Sequence, residues 1–261
     1  MSGPNLRSNE THTLITGASS GIGAGLAERF AAKGHVVWIC ARRESKLLEV
    51  KKSIEAAGGT AHVIVLDVGN IDEVEKTLLD IDEKCGGIDC VIACAGIAGA
   101  DGSDELLRTN FSSLKPLLDV NFIGAIATFM ALVPRMRERK RGHLVGISSI
   151  AADVPLPKGG AYAATKAGFT FFMEAAALEL KQANIDVTIV HPGFVKTAIT
   201  EHNKFDMPFL MELDKALDIM ERDILRRKKM VRFPFQLGFI ARVGNLLPRW
   251  FLHFLLPRVV K

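Results

Sequence analysis

The sequence predicts an α/β chain, a doubly wound parallel sheet of about seven strands with helices on both faces. Three observations carry that reading: short apolar runs rich in β-branched residues, longer segments of helical period between them, and a glycine-rich turn directly after the first run. The runs lack strict apolar–polar alternation, as strands buried on both faces do. Repeated strand–helix alternation implies right-handed crossovers and a sheet covered on both sides. Such sheets bind ligands beyond the carboxyl ends of their strands, so the residues just after each run are the ones to inspect.

In chain order the runs are TLIT, HVVWIC, AHVIVLDV, IDCVIACAG, HLVGISS and IDVTIVHPG. Between them Leu47, Val50 and Ile54, then Val74, Leu78 and Ile81, follow helical spacing. Gly34, Gly58 and Gly86 stand where C-terminal caps belong. A last helix, with Leu213, Leu217, Met220 and Ile224 in register, leads into KMVRFPF, a seventh strand. The length of 261 residues suits a single domain over 1–261, with 1–10 a flexible N-terminus and 235–261 a C-terminal extension. Hydrophobic residues at 48% supply ample material for a core.

The polar start MSGPNLRSNETH has no apolar central stretch, which reads as a cytoplasmic protein. Cys40, Cys85, Cys90 and Cys94 have no CxxC spacing and read as reduced thiols, and no histidine pairing suggests a metal. His143 and His191 abut strands and read as structural. Charge is uneven along the chain. Nine basic residues and no acidic one follow Asp223, whereas residues 1–223 hold 24 basic against 29 acidic.

After the first run comes TGASSGIGAG, with Gly17, Gly21 and Gly23 spaced G-x-x-x-G-x-G. Glycines here let backbone N–H groups and a helix N-terminus approach a pyrophosphate, although a glycine-rich turn can also be only a turn. A site for NAD carries an acidic residue about 20 positions on, to bind the ribose 2′-hydroxyl. Here ICARRES places Arg42 and Arg43 at that point instead. Two guanidinium groups suit a 2′-phosphate, so the expected cofactor is NADP(H); a solvated helix start, with Glu44 pairing either arginine, is the alternative.

Tyr162, the sole tyrosine, is followed one helical turn on by Lys166. A cation on the same helix face favours the phenolate, so a tyrosine tuned in this way can exchange a proton with a carbonyl or hydroxyl oxygen. Ser149 ends the run HLVGISS and Asn121 lies in DVNFIGA. Alternation along a strand points Ser148 away from Ser149. Together with the glycine-rich turn, these residues resemble the short-chain dehydrogenase/reductase family, from TLITGASSGIG through HPGFVKT.

The resemblance implies a Rossmann-like catalytic domain in which Tyr162 is general acid in reduction and base in oxidation. Lys166 would lower the tyrosine pKa and bind the nicotinamide ribose. Ser149 would polarise the substrate carbonyl, and Asn121 would hold a water linking Lys166 to a proton relay. For the cofactor it implies Gly17, Ser19, Ser20, Gly21, Ile22 and Gly23 at the pyrophosphate, Arg42 with Arg43 at the 2′-phosphate, and Asp67 and Val68 near the adenine. Pro192, Gly193, Val195 and Thr197 would touch the nicotinamide end. Two departures stand out. Cys94, Ala95 and Gly96 read CAG where the family has Asn-Ala-Gly, so local hydrogen bonding at Cys94 is in question. At Ser20 some NADP-preferring members have a basic residue.

The segment 198–212 would form a substrate lid, and its Ile199, Phe205, Met207, Pro208, Phe209, Leu210 and Met211 suggest a hydrophobic carbonyl or alcohol, lipid-, steroid-like or aromatic. Pro248 and Pro257 divide the extension into pieces far shorter than the roughly 20 apolar residues that span a bilayer. Two readings of it stay open: peripheral contact with anionic membrane, or packing within a homo-oligomer. Nucleic acid is not an expected partner, since the basic residues are interleaved with large aliphatics. The competing function is a non-catalytic nucleotide-binding interaction protein using that tail.

Overall fold

The computed structural model of the chain describes residues 10–98, 111–153, 159–201 and 206–239. The expectations for residues 1–9, for Phe205 of the lid and for 240–261 of the extension lie outside the described residues. Strands β1 (His12–Thr16), β2 (Val36–Ala41), β3 (Thr60–Val65), β4 (Cys90–Ala93), β5 (Gly142–Ile147), β6 (Ile185–Pro192) and β7 (Met230–Phe233) form one sheet. Its order is β3-β2-β1-β4-β5-β6-β7, and every neighbouring pair is parallel. Each strand falls on the run that predicted it. The order reverses between β1 and β4, and a crevice opens there beyond the strand ends.

Helices α1 (Gly21–Ala32), α2 (Glu44–Ala56) and α7 (Leu213–Leu225) cover one face; α3 (Ile71–Lys84), α4 (Phe111–Leu118), α5 (Ala125–Arg139) and α6 (Gly160–Glu179) cover the other. Successive strand residues serve opposite cores. Leu14, Cys40, Val91 and Leu144 pack with Phe129, Leu132 and Phe169, while Ile15, Ile39, Ile92 and Val145 pack with Phe30, Leu47 and Met220. Two apolar faces explain why the runs do not alternate. Gly34, Gly58 and Gly86 follow α1, α2 and α3 with φ of +85°, +83° and +75°, as helix-ending glycines do.

Helices α4 and α5 are joined by a π-helical turn, Asp119–Gly124, into one helical run over Phe111–Arg139. That run is long and apolar enough to cross a membrane by length and composition, with mean hydropathy 1.8, yet half of the apolar window is buried in the protein. Phe129, Leu132 and Met136 put it on the core.

Candidate active site

The crevice at the strand ends is a cleft of about 460 Å³. Gly17 takes φ +68°, and a Cβ added there would lie 2.7 Å from the Ala95 Cα, so the turns after β1 and β4 touch backbone to backbone. Ser20 precedes α1 in extended conformation without capping it through its side chain, and the first turn of α1 holds no acidic residue. The uncapped N–H groups and the positive end of the helix dipole are therefore available to an anion. A cradle that a side chain would fill, at the head of an uncapped helix, fits a dinucleotide pyrophosphate.

At one end of the cleft, Arg43 Nη2 donates to Ser19 Oγ at 2.9 Å and to Ser20 Oγ at 3.0 Å. Arg42 instead faces Asp67, Nη1 to Oδ2 at 3.6 Å. Among the described residues neither arginine pairs with Glu44; both are exposed at the cleft edge, where a second phosphate would meet them. Between motif and structure the emphasis moves. Arg43, bridging the glycine turn to the end of β2, is the arginine built into the wall.

The floor answers the question raised by Cys94. Thr16 Oγ1 accepts from the backbone N–H of Cys94 and of Ala95, both at 3.1 Å, so one hydroxyl at the end of β1 ties the start of the CAG segment. The Cys94 thiol is pushed up to about 12 by burial, with Lys166 pulling the other way, and it stays neutral. Thr16 carried no signal in the sequence because its bond crosses between strands 78 residues apart.

Tyr162 lies in the first turn of α6 and Lys166 one turn on, with Nζ 5.9 Å from the tyrosine ring centroid. Lys166 is 5% exposed, and its Nζ donates to the Ile147 carbonyl at 2.9 Å. Burial brings its pKa down to about 8, against a small opposing pull from Cys94. Ser149 follows β5, and its Oγ accepts from Ala151 N at 3.1 Å. That bond occupies a lone pair and leaves the hydroxyl proton for donation. Ser148 points the other way, buried, donating to the Lys166 carbonyl at 3.1 Å.

Ser149, Tyr162 and Lys166 line the same cleft as Ile22, Gly21 and Gly23 of the turn. Val68, Gly96, Pro192, Gly193, Val195 and Thr197 line it too. Asn121 does not; fully buried in the π-helical turn, it accepts from Ile97 N and donates to Ile97 O, both at 2.8 Å. Its carboxamide thus holds the segment after β4, and a Cβ on Gly96 would meet it at 3.4 Å and Lys166 Nζ at 3.6 Å. Leu66, Ile97 and Val120 line the cleft as well, apolar positions that no motif marked. Ala198, Ile199 and Thr200 of the expected lid also border it, and residues 211 and 194–196 pair backbone to backbone to anchor the far end of that segment.

The short chain dehydrogenase family model matches residues 11–207. A Myxococcus xanthus protein named only as an oxidoreductase is 40% identical over 235 residues, 90% of this chain and 92% of that one. The structure of a short-chain dehydrogenase from Sphingobium yanoikuyae in complex with NADPH is similar at TM-score 0.80 and 28% identity, over 90% of this chain and 92% of that chain. A bulky-bulky ketone specific alcohol dehydrogenase from Comamonas testosteroni is similar at TM-score 0.77 and 27% identity, over 92% and 94% of the two chains. With the cleft, the tyrosine–lysine helix and these likenesses together, this chain belongs to the short-chain dehydrogenase/reductase family of oxidoreductases.

Proposed function

We propose that the chain is an NADP(H)-dependent oxidoreductase acting between a carbonyl and a hydroxyl group of a hydrophobic small molecule. The observation that carries this reading is the convergence, in one cleft, of Ser149, Tyr162 and Lys166 with an uncapped helix N-terminus and two arginines. NADPH bound there would supply the hydride. Arg43 and Arg42 would hold its 2′-phosphate and α1 its pyrophosphate, and the NADPH- and NADP-bound relatives support that choice. Ser149 donates a hydrogen bond to the substrate oxygen, and Tyr162 passes its proton to that oxygen. Lys166, when charged, favours the phenolate left behind. An apolar substrate is supported by Ile199, which borders the cleft and is 51% exposed, and by the ketone specificity of the Comamonas relative.

The test follows NADPH absorbance against aryl, alicyclic and long-chain ketones and aldehydes. Turnover on bulky apolar ketones is expected, faster than on short polar ones. Tight NADPH binding without turnover on any of them would instead favour a non-catalytic nucleotide-binding protein. Self-association is part of the same reading: Phe171 and Leu178, two turns apart on α6, are 76% and 80% exposed, and Met130 on α5 is 62% exposed. Sedimentation velocity is expected to give a homo-oligomer rather than a monomer.

A further inference from the structure

Behind the catalytic face a line of buried polar groups runs from α6 to β7. Ser148 Oγ, which donates to the Lys166 carbonyl at 3.1 Å, lies 2.7 Å from Thr170 Oγ1. Thr170 Oγ1 lies 3.2 Å from His191 Nε2, and His191 Nδ1 lies 3.1 Å from Asp153 Oδ2. Arg232 of β7 closes the line, reaching Asp153 at 3.2 and 3.4 Å. His191 is fully buried. Thr170, His191, Asp153 and Arg232 all lie outside the cleft lining.

The line has an acceptor at each end, the Lys166 carbonyl and the Asp153 carboxylate. Burial would raise the Asp153 pKa, but hydrogen bonds from His191 and Arg232 overcome it and hold the group below the ordinary carboxylate range. Four contacts lie between the two acceptors. Ser148 and Thr170 supply one hydroxyl proton each. A neutral imidazole adds a single N–H, so one contact would be left as two lone pairs facing each other. With protons on both ring nitrogens, all four are filled.

Both ends of the line reach catalytic residues. Asp153 ends the hydrogen-bonded turn that Ser149 begins, Ala152 N donating to the Ser149 carbonyl at 3.0 Å and Asp153 N to that of Ile150 at 2.9 Å. At the other end Ser148, adjacent to Ser149, holds the carbonyl of Lys166. The residue before Ser149 and the turn after it are thus pinned to the same histidine.

We propose that His191, protonated on both ring nitrogens, is a positioning residue that braces the Ser149 turn against the helix bearing Tyr162 and Lys166. This deepens the oxidoreductase reading and rests on it for the kinetic test alone. Heteronuclear NMR of the wild-type imidazole rings at neutral pH, with His191→Gln to assign the signal, is expected to find both His191 nitrogens protonated. A single protonated nitrogen would overturn the proposal, whatever the substrate. For the kinetic arm, Thr170→Val cuts the line without touching a charge. With an aryl ketone as probe its kcat is expected to fall about tenfold to a hundredfold, while the NADPH dissociation constant stays within about twofold. Thr170→Ser, which keeps the hydroxyl, is expected to restore kcat. Unchanged kcat in Thr170→Val, or loss in Thr170→Ser as deep as in Thr170→Val, would overturn it. If wild type reduces no ketone, the oxidoreductase reading fails and the NMR result still decides this one.

Discussion

At the end of the cleft beneath β1 to β3, the walls are main chain with small and aliphatic side chains, and among the described lining residues the charges there, Arg42, Arg43 and Asp67, reach solvent. At the β5 and β6 end the working groups are side chains tied into the protein: Lys166 buried on the Ile147 carbonyl, Ser149 held by a turn. A site made of backbone needs glycines at fixed spacing, a local property of the chain. A site made of buried side chains needs partners brought from other elements, and these cost stability where a charge is desolvated.

If that contrast is right, substitutions at the two ends should fail differently. The largest effect belongs to Tyr162→Phe, expected to lower NADPH-dependent turnover about a hundredfold to ten-thousandfold with nucleotide affinity kept, as stopped-flow turnover and fluorescence titration would report. Lys166→Met should abolish turnover as well and yet stabilise the cofactor-free protein. The pKa of Lys166 is lowered from 10.5 to about 8, so below about pH 8 it is charged in both folded and unfolded chains and its burial cost is present in full. As pH rises from there toward 10.5 the folded lysine is neutral, and the cost is relieved. Thermal melts at neutral pH should therefore show Lys166→Met gaining about 2 kcal/mol, after the lost bond to Ile147 is offset, and the gain shrinking in alkali.

Thr16→Val tests the floor between the two ends. Removing the hydroxyl strands the N–H groups of Cys94 and Ala95, and chemical denaturation should register a loss of about 1–3 kcal/mol. The smallest effect is expected at the exposed end. Arg43→Ala should weaken NADPH about tenfold and leave NADH binding unchanged, read by paired titrations; equal loss for both cofactors would place Arg43 in the turn's architecture and not in phosphate recognition.

How much of this was legible in the sequence follows the same division. Gly17, Gly21 and Gly23, Arg42 with Arg43, and Tyr162 with Lys166 are each pairs or triplets within a few positions, so each was visible as a local pattern, and the family resemblance they carry together with Ser149 and Asn121 implied one shared site. The seven strands were legible too, because burial on both faces makes each one a continuous apolar run. Thr16 under Cys94, the Asn121 carboxamide on Ile97 and Asp153 against His191 were not. Their partners are 78, 24 and 38 residues away in the chain, and no periodicity links them. The π-helical turn at Asp119–Gly124 was missed for another reason: it lies inside one continuous helical run, and neither Pro116 ahead of it nor Gly124 at its end distinguishes a π turn from an ordinary helix interruption.

Lys166 is gripped twice by consecutive residues of one chain segment, its amine by the Ile147 carbonyl and its own carbonyl by the Ser148 hydroxyl. Strand and helix therefore meet at a fixed hinge pin, with no slack for the pair to slide past each other. Anyone reshaping this pocket for a larger substrate would do better to leave that contact alone and cut instead at Ala198, Ile199 and Thr200, which also border the cleft.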